Sequence, residues 1–247
     1  MIIQTYLSPA AGKRLIAKGL AARADVQAAL KEHTILIIKG STNAALAEEL
    51  LKFCGYDEKV RGFYRGIFKP ADAEAKYTVD KYDLIIRKGE IIRDKTVFDI
   101  ADELGPDDIA FKGANAVNPL THQAAVLIGN PTGGTMVPLT KAVIGRRLKL
   151  IHPVGLEKRN RNDFHMMEQL CNESSTAGVR MMVSPGTAYP EADAFRELFG
   201  IKAILAGAGG VAGYEGGCFF LLQGEEEALE QCRALLAEIT AEPPFAL

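Results

Sequence analysis

The chain has 247 residues, 48% of them apolar and 24% charged, enough for one large domain or a domain and a half with a real core. Its 29 basic and 31 acidic side chains leave a net charge of −2, which excludes a strongly basic nucleic-acid binder and an acidic solvating tail. No apolar run approaches the roughly 20 residues that cross a bilayer. Pro9, Gly12 and Lys13 interrupt the first twenty residues, so no signal peptide is expected. Cys54, Cys171, Cys218 and Cys232 show no metal or redox spacing, and the whole reads as a soluble cytoplasmic protein.

From the N-terminus, Leu15, Ile16, Leu20, Val26 and Leu30 stand at helical spacing and predict two short helices within 10–31, divided near 21–24. Thr34-Ile-Leu-Ile-Ile38 is an all-apolar run suited to a central parallel strand buried on both faces. It ends in Lys39-Gly-Ser-Thr-Asn43 and passes into a strong helix over 44–51, a first strand–turn–helix unit. The stretch from Cys54 to Thr78 is glycine-rich and weakly patterned, with Arg61-Gly-Phe-Tyr-Arg-Gly66 inside it. Apolar residues on either side of Arg87-Lys-Gly89 predict a hairpin. A short helix over 96–104, closed by Gly105 and Pro106, follows. Further buried strands are expected at 108–111, 124–128 and 148–151, with a helix over 137–144. The first two end in Lys112-Gly-Ala-Asn-Ala-Val-Asn118 and Gly129-Asn-Pro-Thr-Gly-Gly-Thr135.

Beyond Lys158 the character changes. Arg159-Asn-Arg-Asn-Asp163 is polar and linker-like, and helical spacing resumes over 164–171. Strand 179–183, helix 191–199, strands 201–205 and 218–222 and helix 225–239 follow, the β-α-β-β-α order of a small ferredoxin-like sandwich. The expected architecture is α/β: a mostly parallel Rossmann-like sheet with helices on both faces over 1–160, and a smaller ferredoxin-like α+β lobe over 161–247. Strands 34–38, 108–111, 124–128 and 148–151 should share one sheet, and 179–222 should form another.

Ligands of open parallel sheets bind at the carboxyl ends of the strands. There, Lys39, Gly40, Ser41, Thr42 and Asn43 lead straight into a helix, so free N–H groups and hydroxyls converge where the helix dipole is positive, a ready anion site. The plainer alternative is that Ser41, Thr42 or Asn43 merely caps the helix. Gly129-Asn-Pro-Thr-Gly-Gly-Thr135, with Gly133, Gly134 and Thr135 as its ligand-facing residues, is a second candidate, a binding loop or a tight turn. Gly207-Ala-Gly-Gly-Val-Ala-Gly213 is a third, read as flexible or as a close interlobe contact. His33, His122, His152 and His165 share no metal-ligand spacing, and of these only His122 falls in a ligand-facing loop. No metal and no cofactor are expected. Arg61, Arg65, Arg146, Arg147, Lys158, Arg159 and Arg161 are basic residues available to an anion.

In order, these motifs resemble the sugar-phosphate isomerase and CoA-transferase-like superfamily, most closely ribose-5-phosphate isomerase A. Lys39-Gly-Ser-Thr42 matches its Gly-Ser-Thr turn between strand and helix. Residues 112–118 match in frame its Asp-Gly-Ala-Asp-Glu-Val-Asp, and 129–134 loosely match its Lys-Gly-Gly-Gly-Gly loop. Leu150 to Lys158 matches a strand with a Ser-Lys or Glu-Lys ending. The resemblance implies a phosphate loop beside a sugar site. Where that family places two carboxylates and a lysine, however, Lys112, Asn115 and Gly129 stand here, and no carboxylate follows the glycine loop until Glu157. Isomerisation needs a base for a carbon-bound proton, so interconversion of ribose 5-phosphate and ribulose 5-phosphate is not expected.

The reading is therefore a protein that binds a small anionic, phosphorylated metabolite through Lys39, Gly40, Ser41, Thr42, Asn43, Lys112, Gly113, Asn115, Gly133, Gly134 and Thr135. Asn115 should offer a neutral hydrogen bond to a ligand hydroxyl, and Thr42→Phe should block the site and spare the fold. The alternative is an isomerase or CoA-transferase-like enzyme using Glu157, Lys158, His122 or Glu215. No nucleic-acid or membrane partner is expected, and a homo-oligomer is.

Overall fold

The computed structural model describes residues 1–57, 59–68, 79–212 and 214–245. The elements run β1 (Ile2–Leu7), α1 (Pro9–Ala22), α2 (Ala24–Glu32), β2 (Thr34–Ile37), α3 (Ser41–Phe53), β3 (Leu84–Arg87), β4 (Glu90–Ile92), α4 (Val97–Ile100), β5 (Ile109–Phe111), β6 (Ala116–Asn118) and β7 (Gln123–Ile128). After these come α5 (Met136–Arg146), β8 (Lys149–Pro153), a 3₁₀ turn (Leu156–Lys158), α6 (Phe164–Asn172), β9 (Arg180–Val183), β10 (Thr187–Tyr189), α7 (Glu191–Phe199), β11 (Lys202–Gly209), β12 (Gly217–Gln223) and α8 (Glu226–Ile239).

The central sheet has six strands in the order β10-β8-β5-β2-β3-β4. The first four are parallel, and β3 and β4 add an antiparallel edge. Every residue of β2 is buried, as its unbroken apolar run requires. Ile35 and Ile37 join the larger core with Phe111 and α1, whereas Leu36 and Ile38 join a second core with Ala110, Leu139 and Leu150. Helix α1 starts at Pro9 behind the Ser8 cap. It packs between α3 and α7, and at Gly19 a Cβ would lie 2.7 Å from the Ala194 Cβ, so a side chain there would push the helices apart.

Three expectations about the sheets are corrected. Strand 123–128 does not join the central sheet; it forms an antiparallel three-stranded sheet, β6-β7-β9. Its neighbours are the short strand 116–118, inside a motif read as a loop, and 180–183, which was assigned to the smaller lobe. Strands β11 and β12 do not pair with 180–183 either; they pair with each other and with the N-terminal strand 2–7, whose mixed burial pattern hides it among polar residues. Residues 187–189 add a parallel strand beside β8. Hydrogen-bonded pairs thus cross residue 160 in all three sheets, and 161–247 forms no ferredoxin-like sheet of its own. Among the described residues no helix is long and apolar enough to cross a membrane.

Candidate functional site

Strands β2 and β5 run parallel and side by side, so the segments leaving their carboxyl ends open on one side of the sheet. Asn43 ties these ends together. It is fully buried in the first turn of α3, and its Nδ2 donates to Ile38 O at 2.7 Å and to Phe111 O at 3.1 Å. Between the two ends lies a cleft of about 380 Å³. Lys39 to Asn43 line one wall and Lys112 to Asn115 the facing wall; Tyr64 to Phe68, Val126 and Leu127 of β7, Lys158 and Phe245 complete it. Eight of the expected site residues, 39–43, 112, 113 and 115, are therefore brought together.

The N-terminus of α3 is open. Gly40 caps it without a side-chain hydrogen bond, and the first intrahelical donor is Ala44 N–H, to Gly40 O at 2.8 Å. Capping by Ser41 or Thr42 is thus not what those residues do. The N–H groups ahead of Ala44 find no acceptor among the described residues, as a helix start leaves them unless a side chain or ligand intervenes. A Cβ built on Gly40 or on Gly113 would meet nothing within 4 Å, and neither glycine sits in the left-handed region; Gly40 is extended, with φ 174°. Neither chain geometry nor a neighbour demands glycine at these positions; its effect is to leave the backbone bare toward the cleft.

Charge in the cleft is one-sided. Four cations line it, Lys39, Arg65, Lys112 and Lys158, and among the described lining residues there is no carboxylate. Lys39 Nζ donates to Asp80 O, and its N–H to Asp83 Oδ1 at 3.3 Å. Arg65 pairs with the same Asp83 carboxylate at 3.8 Å, and Lys158 Nζ donates to Ala114 O at 3.0 Å. Burial, followed by the neighbouring positive charge of Arg65, lowers the Lys39 ammonium below its ordinary range. Burial does the same to Lys112, reinforced by Arg65 and Lys158 and opposed by Asp83, and holds it at about 8. Two buried polar atoms of lining residues, Asn43 Oδ1 and Tyr64 Oη, have no hydrogen-bond partner among the described residues, a condition that native structures rarely leave unrelieved.

Gly133, Gly134 and Thr135 are not in the cleft. They follow β7, which lies in the antiparallel sheet, and Gly133 and Gly134 have φ of +80° and +56°. Glycine is needed there for the turn itself. Asn115 is present but partly committed: its Oδ1 accepts Leu127 N–H at 3.0 Å, fastening β7 to the cleft wall, while its Nδ2 has no acceptor among the described residues. Thr42 is only 4% exposed, so Thr42→Phe would strain the packing of α3 as well as fill the site. Gly207 and Gly209 belong to β11, where the Tyr6 hydroxyl donates to Gly209 O at 3.0 Å and to Tyr214 O at 2.6 Å; Gly213 lies outside the described residues, as do 69–78 of the weakly patterned stretch.

None of the sequence candidates for proton transfer except Lys158 lines the cleft. His122 is half-exposed in the β6–β7 turn beside Asp193, at 3.3 Å. The charge of Glu157 acts on a carboxyl that sequence reading missed, Glu191. That group is buried, accepts Leu156 N–H at 2.8 Å, and is pushed up to about 8 by burial and then by Glu157. At the start of an amphipathic helix it looks like a solvated first-turn acid, and only the packing of α1 over it says otherwise. His152, also fully buried, is held at about 3 by burial and the nearby Lys112 charge. Among the described residues no cluster of three metal-ligating side chains occurs. Comparisons with protein-family models, curated proteins and solved structures return no match for this chain.

Proposed function

We propose that the protein binds a small anionic, phosphorylated metabolite in the cleft between the carboxyl ends of β2 and β5. The observation that carries the reading is the convergence of Lys39, Arg65, Lys112 and Lys158 on a cleft with no carboxylate among its described lining residues. Like charges crowded into a partly buried site repel one another and penalise the empty form. A dianion relieves that penalty, and the bare N–H groups of α3 supply oriented donors. The motif order shared with ribose-5-phosphate isomerase A points to the same ligand class. An isomerase or transferase with another acid–base set gains no support from a carboxylate in the described lining.

The test is a thermal-shift and calorimetric panel of inorganic phosphate, sugar phosphates, nucleotides and CoA esters. A ligand at 100 times its Kd stabilises the fold by about 2.7 kcal/mol, and that gain should vanish in Gly40→Leu. Absence of stabilisation by every phosphate compound, or full binding by Gly40→Leu, would remove the proposal.

A further inference from the structure

Three of the four cations in the cleft are anchored, and one is not. Lys39, Arg65 and Lys158 each hold a backbone carbonyl or the buried Asp83. Among the described residues, Lys112 Nζ has only a 3.4 Å contact with the carbonyl of its own neighbour Gly113, longer than an ordinary N–H···O bond. No ion pair reaches it from the described residues. Its main chain, in contrast, is clamped. Lys112 N–H donates to Ile151 O at 3.1 Å, and Lys112 O accepts from His152 Nδ1 at 2.5 Å. That acceptor sets the tautomer of His152, whose Nε2 in turn accepts from the Ser184 hydroxyl at 2.5 Å. The result is a fixed root and an uncommitted amine, opening on the cleft beside the bare start of α3.

We propose that Lys112 is a nucleophilic amine that captures an anionic aldehyde or ketone as an imine, an inference that rests on the anion-site reading above. The neutral amine nitrogen attacks the carbonyl carbon, and a proton passes from nitrogen to the former carbonyl oxygen. The carbinolamine then loses its hydroxyl together with the second nitrogen proton as water, and the nitrogen lone pair forms the C=N bond, with no oxidant or reductant consumed. Arg65, Lys158, Lys39 and the α3 N–H groups would hold the anionic group of the substrate, which places its carbonyl near Lys112 and turns a bimolecular attack into a local one. Desolvation and adjacent cations are the two means by which a lysine becomes nucleophilic near neutral pH. Both act here: burial, Arg65 and Lys158 lower the ammonium to about 8 against the pull of Asp83, while His152, the other titratable group against this strand end, stays neutral.

The experiment uses pyridoxal 5′-phosphate, an aldehyde and a phosphate in one probe, added to the full chain and quenched with borohydride. Peptide mapping of the unaltered protein is expected to give one dominant reduced adduct, at Lys112, and the Lys112→Arg chain should lack it. Its formation rate should rise with pH and level off above about 8, where exposed lysines continue to gain toward their ordinary value of about 10.4. Inorganic phosphate should slow it at least about tenfold, as competition for a saturable site requires. Adducts spread over surface lysines with Lys112 unlabelled, while phosphate still stabilises the fold, would sink the amine and leave the anion site standing. Labelling of Lys112 that pyridoxal matches without its phosphate, and that phosphate fails to slow, would overturn both the anion site and the selectivity proposed here.

Discussion

Loops 39–43 and 129–135 are alike on paper: each is glycine-bearing, follows an apolar strand and leads into a helix, of 13 and 11 residues respectively. They differ in the company their strands keep. Strand β2 has a parallel neighbour, β5, whose exit segment faces the 39–43 turn across the cleft. Strand β7 has only antiparallel neighbours, so what lies beside its exit is the segment entering β9, with Arg180 donating to Gly129 O at 3.0 Å, and not the carboxyl end of a parallel strand. The glycines differ accordingly. Gly133 bends into φ +80°, and a Cβ there would lie 2.3 Å from Val137 Cγ2. Gly40 meets no such demand. A glycine that the backbone requires explains itself; one that nothing requires leaves room for something else.

The largest test of that contrast pairs two substitutions. Gly40→Leu should leave the urea midpoint near the wild type and reduce phosphate affinity at least about a hundredfold, a loss of roughly 3 kcal/mol of binding. Gly133→Ala should do the reverse: phosphate titrations stay superimposable on the wild type, while stability falls by about 1–2 kcal/mol from the left-handed conformation alone. Equal affinity losses from both would erase the distinction between the loops. A smaller effect is expected from Lys158→Met, which removes one cation from the cleft wall. Phosphate affinity should drop roughly tenfold, within the range for a charged hydrogen bond, and wild-type affinity should weaken as salt rises. An affinity insensitive to both would place the anion elsewhere.

Smallest, and remote from phosphate, is the contribution of Glu191. The folded chain keeps its proton up to about 8, whereas the ordinary value is 4.5. Between those values the folded state binds more protons than the unfolded one, so this group makes stability fall as pH rises. Glu191→Gln retains an acceptor for Leu156 N–H and cannot titrate. Its urea midpoint should therefore decline less across that pH window than the wild type's, and parallel profiles would show that the carboxyl is ionised in the fold.

Much of the local structure was legible. The two helices within 9–32, the hairpin around Arg87–Gly89, helix α3 and strands β2, β5 and β8 all follow from apolar spacing and glycine punctuation. So did eight residues of the candidate site, because a strand end running into a helix start exposes N–H groups wherever it occurs. Strand β1 escaped notice because its burial alternates irregularly, and β6 and β10 because three residues carry no period. Arg65 was one of seven basic residues with nothing to single it out, and Tyr64 was not considered; only their placement against Lys39 and Lys112 makes them part of a site. Glu191 was hidden by its position, since the first turn of a helix is where an exposed acid is usual.

The division has a physical basis. Hydrophobic period and turn chemistry act over a few residues, so the sequence by itself determined most of the segments that are strands and helices, and that the β2–α3 turn exposes backbone N–H donors. Which strands pair is settled by burial of whole faces across more than a hundred residues, as when 2–7 pairs with 217–223. Tertiary structure alone therefore decided that 123–128 leaves the parallel sheet, that its glycine loop lies outside the cleft, and that four cations from separate segments share that cleft.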